Sequence, residues 1–205
     1  MTRIQHKEQN EQDSRIPMAM QWYNEPKAFQ EERTKDGGSR TTVSVPGKTD
    51  YWRTTLHGFI KDDAPFRYTV VTGDFEVTVR FSAEYKSLYD QAGLMVREDE
   101  TVWMKCGIEL YEGKQHASTV ITRTYSDWSI AAFEKDPDTV WFKAKRTGEC
   151  IETFFSMDGK NYQQIRQGYL SVAKELQVGI VAAAPTGDGF DVVFEDFTIK
   201  ETPKS

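Results

Sequence analysis

The segment Val102 to Tyr111 alternates strictly in character. As a strand it places Val102, Met104, Cys106, Ile108 and Leu110 on one face, and Trp103, Lys105, Gly107, Glu109 and Tyr111 on the other. A solvated sheet face normally carries Thr, Lys, Glu and Ser, so Trp beside Lys and Glu reads as the lining of a groove. An aromatic plane stacks on the C–H face of a sugar ring while neighbouring charged groups hydrogen-bond its hydroxyls. Trp22, Trp52, Tyr89, Asp90, Gln91, Asp127 and Trp128 fall for the most part at expected strand ends or loops, where sites are commonly built. With Trp103, Lys105 and Glu109 they make ten candidate ligand-binding residues. Each has a plainer reading. Trp22, Trp52 and Trp128 would serve equally as plugs at the ends of a core. Lys105 and Glu109 would serve as a surface ion pair, and Asp90-Gln91 as turn chemistry at a strand entrance.

Glycoside hydrolysis needs two carboxyls about 5 to 5.5 Å apart for retention, or about 6.5 to 9.5 Å apart for inversion. No Glu-x-Asp-x-(x)-Glu string occurs on one strand, so a catalytic pair would have to form across strands, Glu109 with Asp90 or Asp127. Glu98-Asp99-Glu100 reads as a solvated turn. No catalytic residue and no cofactor is assigned. The three histidines, His6, His57 and His116, stand alone without metal-ligand spacing, and no metal site is expected; His57 and His116 read as surface or strand-end residues. No nucleophile elbow, phosphate loop or dinucleotide fingerprint is present.

The elements that must position these residues are strands. Asp74 to Glu84 alternates Phe75, Val77, Val79, Phe81 and Ala83 with polar residues, giving one core face and one wet face. Val140 to Arg146 and Glu149 to Ser156 predict a hairpin about Thr147-Gly148, and Met157-Asp158-Gly159-Lys160 a second turn. Further strands are expected over 41–45, 93–97, 117–123, 129–133, 176–183 and 190–200, with short helices only around 25–32 and 171–174. About a dozen strands cannot stay one open sheet, which predicts two packed antiparallel sheets. Residues 1–16 read as a polar tail that cannot offset its ordering entropy, followed by a single sandwich domain over 17–205.

The chain has 205 residues, 38% hydrophobic and 28% charged, which is enough apolar area for a core. Its net charge of −6, with no Lys/Arg run longer than two, lacks the footprint of a nucleic-acid binder. There is no apolar leader and no run approaching a membrane span, so no membrane partner is expected. Cys106 and Cys150 lack disulfide or zinc spacing and no Asn-x-Ser/Thr sequon occurs, which together predict a cytoplasmic protein.

Tyr89-Asp90-Gln91-Ala92-Gly93-Leu94-Met95-Val96-Arg97, Trp103 to Glu109, and Phe155-Ser156-Met157-Asp158-Gly159 together resemble a concanavalin A-like lectin/glucanase jelly-roll sandwich. More narrowly, Trp22-x-Asn24-Glu25-Pro26, Asp50-Tyr51-Trp52-Arg53-x-Thr55 with Gly58-Phe59, and Ser126-Asp127-Trp128-Ser129 resemble the family named for the yeast regulation of enolase protein, over about residues 20–200. That family often carries a His after Gly58-Phe59; here Ala64-Pro65 stand near that place, so no role resting on it is carried over. The resemblance implies an all-β double sheet with a concave and a convex face, and a link to a glycolytic enzyme. Three expectations follow. The first is a non-catalytic module binding a carbohydrate or small polar metabolite, and the second a regulatory protein whose partner is a metabolic enzyme. A carbohydrate-active hydrolase with cross-strand carboxylates is the third.

Overall fold

The computed structural model describes residues 19–35 and 37–202. The tail expected over 1–16 lies outside them. Among the described residues there are sixteen strands and no helix, numbered here in chain order. One sheet has seven strands in the order β1 (Gln21–Tyr23), β6 (Phe66–Thr72), β15 (Glu175–Ala183), β8 (Gln91–Arg97), β9 (Val102–Tyr111), β10 (Lys114–Arg123) and β11 (Tyr125–Ala132). The other has seven in the order β14 (Gln163–Tyr169), β13 (Cys150–Ser156), β12 (Val140–Thr147), β7 (Asp74–Ala83), β16 (Gly189–Thr202), β3 (Ser39–Pro46) and β2 (Phe29–Arg33). A two-stranded flap, β4 (Tyr51–Arg53) and β5 (Ile60–Asp62), stands apart from both.

Alternation decides the packing. Phe75, Val77, Val79 and Phe81 of β7 and Met104, Cys106 and Ile108 of β9 are buried in the layer between the sheets, with Val43, Phe142, Ile151, Val178, Val192 and Phe194. The hairpin β12–β13 turns at Thr147↔Cys150, where Gly148 has φ 60°, and Gly159 closes the second turn at φ 71°. Both positions favour the residue without a Cβ.

Neither expected helix forms. Phe29–Arg33, overlapping the end of the 25–32 candidate, is the edge strand β2 paired with β3, and 171–174 is a connection into β15. Pairing along β3 overrides a weak local helical preference at Glu25 to Glu32. Strands β1, β4, β5, β6 and β14 were not legible as alternating runs.

A second apolar cluster lies on the outer face of the first sheet. Tyr51 and Ala64 from the flap segment pack on Phe66, Met95, Trp103, Val120, Val181 and Ala183. The face of β9 expected to be wet is therefore covered. Trp103, Lys105 and Glu109 are 0%, 6% and 6% exposed.

Candidate functional site

The flap is held down by polar groups at its base. Lys105 Nζ donates to Asp50 Oδ1 (3.1 Å) and to the Tyr51 carbonyl (2.8 Å). Arg97 Nη2 and Tyr23 OH both donate to Asp62 Oδ2, at 3.0 and 2.9 Å. The Tyr51 hydroxyl donates to the Ala64 carbonyl at 2.7 Å, and the Arg53 amide to Ser126 Oγ at 2.9 Å. Burial raises the Asp62 carboxyl above its ordinary value against the opposing pull of Arg97, and raises the Tyr51 hydroxyl strongly.

Beyond the base, the loop 54–59 and the segment 185–186 wall off a pocket of about 220 Å³, partly open to solvent. Two aromatic groups line it. On the flap side, His57 lies 5.8 Å from Trp52, edge on, and stacks at 5.6 Å on Phe59. On the sheet side, Trp128 lies 6.3 Å from Tyr89, and Tyr111 backs both at 5.4 Å and 5.9 Å. Between them, Lys105, Glu109, Gln91 and Val120 form the floor.

Register explains this convergence. Gln91 is opposite Glu109 and Met95 opposite Lys105 across β8–β9, while Val120 is opposite Lys105 and Trp128 opposite Val120 across β9–β10–β11. Residues directly opposite share a face. Between Lys105 and Glu109 the floor has no side chain, because Gly93 and Gly107 are partners there. The strands run so close at this point that a Cβ on Gly107 would meet the Ala92 carbonyl oxygen at 2.0 Å.

Glu109 is the one pocket acid without a cationic contact. Its Oε2 accepts from Ser118 Oγ (2.7 Å) and Trp128 Nε1 (2.9 Å). Oε1 has no donor among the described residues, yet it is not sealed inside protein, which leaves it turned to the pocket. Burial raises the carboxyl above its ordinary value, opposed by Lys105 and by the Ser118 and Trp128 hydrogen bonds.

Six of the ten residues singled out from sequence therefore line one pocket: Trp52, Tyr89, Gln91, Lys105, Glu109 and Trp128. Four do not. Trp103 is fully buried beneath the flap, edge on to Tyr51 at 6.0 Å, so it is core and not a platform. Trp22 sits on β1, four strands from β9 and so about 19 Å away at the usual strand spacing. There it packs against Phe29 with Arg67 over its ring. Asp90 is buried, its Oδ2 accepting from the Lys86 and Ser87 amides at 2.9 Å each, which is turn chemistry. Asp127 alternates with Trp128 onto the opposite face, where Arg166 binds it at 2.9 Å. The cross-strand pairs Glu109–Asp90 and Glu109–Asp127 are thus not assembled. Asp50, the second acid of the pocket, is occupied by Lys105.

Sequence reasoning missed Asp50, His57, Phe59, Val120, Pro185 and Thr186. His57 read as a surface or strand-end residue. The available signal was its place inside the flap motif, between Trp52 and Phe59.

An all-antiparallel jelly-roll with a walled pocket on one outer face is a concanavalin A-like β-sandwich. The same fold occurs in a xylan β-1,4-xylosidase from Bacillus halodurans (TM-score 0.62, 16% identity, 79% of this chain and 33% of that chain). It occurs also in the carbohydrate binding module CBM66 from Bacillus subtilis (TM-score 0.52, 14% identity, 88% and 95%). The chain belongs to the family described as "Protein of unknown function (DUF1349)", whose model matches residues 22–202. It is similar to "Regulation of enolase protein 1" of Saccharomyces cerevisiae, 33% identical over 178 residues, with 87% of each chain covered. A crystal structure of a functionally unknown protein from Saccharomyces cerevisiae superposes with a TM-score of 0.83 at 31% identity, covering 90% of this chain and 97% of that one.

Proposed function

We propose that this chain is a non-catalytic, cytoplasmic binding protein whose flap-covered pocket takes a carbohydrate or a similar small polar metabolite. The observation that carries this reading is one pocket lined by two aromatic groups, Trp52–His57–Phe59 and Tyr89–Trp128, with a polar floor of Gln91, Lys105 and Glu109. Such rings stack against the apolar faces of a sugar while the floor pairs with its hydroxyls. Lys105, the one Lys or Arg that lines the pocket, is engaged by Asp50 and the Tyr51 carbonyl, which leaves no free cation there for a phosphate. The carbohydrate binding module among the structural relatives lends the fold to such a role.

The test is a thermal-shift and calorimetric screen of monosaccharides, oligosaccharides and sugar phosphates. A ligand at one hundred times its Kd adds about 2.7 kcal/mol of stability. The shift is expected to vanish in Trp128→Ala and Trp52→Ala with the far-UV circular dichroism unchanged. A flat screen, or a shift that both variants retain, overturns the reading.

A second reading is a regulator of a metabolic enzyme. It is favoured by the exposed apolar tip of the flap, where Leu56, Phe59 and Ile60 are 92%, 44% and 56% exposed, and by the name of the yeast relative. Under it, Leu56→Asp would lose a pull-down partner while leaving the sugar screen untouched.

A further inference from the structure

Glu109 carries an inference about the charge of the ligand, and that inference rests on the pocket reading above. The side chain is 94% out of solvent and bonded through one oxygen only. Its other oxygen opens on the pocket with no protein donor among the described residues, so the donor it takes there comes from a ligand or from solvent. The charge balance around it is uneven. Asp50, Lys105 and Glu109 are the carboxylate and ammonium groups that line the pocket, and Asp50 binds Lys105 at 3.1 Å. No other Lys and no Arg lines it, so one negative charge is left over, set in the floor of a pocket lined by two aromatic groups. Rings attract a cation through their faces, and an N⁺–H donor to a carboxylate is shorter and stronger than a hydroxyl donor.

We infer that the pocket selects a sugar-sized polyol bearing a protonated amine, an amino sugar being the fitting class, with the ammonium donating to Glu109 Oε1 and the ring held between Trp52 and Trp128. Ser118 and Trp128 are positioning residues here. By occupying Oε2 they fix the carboxyl so that Oε1 alone faces the ligand.

The experiment is isothermal titration of the full chain at neutral pH with matched trios: glucose, glucosamine and N-acetylglucosamine, and the galactose equivalents. The amino sugar differs from its neutral parent by one charge, and its acetylated form keeps the nitrogen but loses the charge. We expect the amino sugar to bind about tenfold or more tighter than either neutral member, as a charged donor against a neutral one implies. That preference should disappear in Glu109→Gln, checked for native fold by circular dichroism. Because the trio comparison is made on the unaltered protein, it decides the matter even where the variant misfolds. Equal binding of all three members, or a preference for the neutral ones, overturns this inference and leaves the pocket reading standing. An amine preference that survives intact in a folded Glu109→Gln also overturns it. No binding by any member overturns the inference, whereas the pocket reading stands or falls on the wider screen.

Discussion

Glu109 and Lys105 lie four residues apart on one face of one strand, but they do different work. Lys105 is satisfied by Asp50 and a flap carbonyl, and it holds the flap. Glu109 is held by two side-chain donors and has no ion-pair partner among the described residues, and burial raises its carboxyl above the ordinary value against the pull of Lys105. The stability consequence has a definite sign. In the unfolded chain Glu109 titrates near 4.5, and in the folded chain higher. Folding therefore favours the protonated form, so this stabilising contribution is complete below the unfolded value and lost as pH rises through the folded one. Glu109→Gln, which cannot ionise, should melt close to the unaltered protein at about pH 4 and progressively above it towards about pH 8. Circular dichroism melts across that range check this, and a gap that is flat or shrinks with pH contradicts it. At this scale the sequence was readable in type but not in depth. Trp103 shares a face with Lys105 and looked like a platform; Tyr51, 52 positions earlier in the chain, lies over it, and no local pattern announces that.

Among the elements, the flap and the β8–β9 pair determine the pocket. The flap motif was visible as a string of residues, Asp50-Tyr51-Trp52-Arg53, but its docking depends on Asp62 meeting Arg97 and on Lys105 meeting Asp50, contacts between segments far apart in sequence. Strand β9 was legible from its alternation, and β8 in part as an expected strand over 93–97. The depth of the floor between them was not, because it arises from two glycines facing each other, Gly93 and Gly107. An alanine at position 107 would place its Cβ 2.0 Å from the Ala92 carbonyl oxygen and 2.8 Å from Gly93 Cα. These obstacles are backbone atoms of β8, which leave little room to yield, so the two strands must part. Gly107→Ala is expected to destabilise by about 1 to 3 kcal/mol, the usual cost of overpacking, and to weaken ligand binding by filling the floor. Urea denaturation measures the first effect, and a midpoint equal to that of the unaltered protein would show that the approach is looser than described.

The whole molecule is organised by pairings between distant parts of the chain. Ser44 on β3 donates to Asp191 on β16, 147 positions away, at 2.6 Å, and β7 sits between β12 and β16 in the middle of the second sheet. Such a sheet cannot close until both ends of the chain are present. Topologies dominated by non-local pairing fold on the millisecond-to-second scale, not in microseconds. Stopped-flow refolding followed by tryptophan fluorescence is expected to give its main phase in that window. A dominant microsecond phase would mean that local structure carries more of the fold than the strand order implies.

Periodicity by itself determined the strand character of β7, β9, β12 and β16, the all-β class and the division into two sheets, because a period of two is a local property of consecutive side chains and needs no partner to be seen. The same alternation placed Lys105 and Glu109 on one face, and motif position brought Trp52, Tyr89, Gln91 and Trp128 into consideration. Whether that face is wet, covered or walled depends on what packs against it, and the flap that does so comes from a segment more than forty residues earlier in the chain. Only the tertiary structure could decide that Trp103 is core, that Trp22 stands at the far edge of the sheet, and that Asp90 and Asp127 are taken by a turn and by Arg166. Burial and partner choice are set by contacts through space, and a chain read in order carries no record of which of its surfaces will meet.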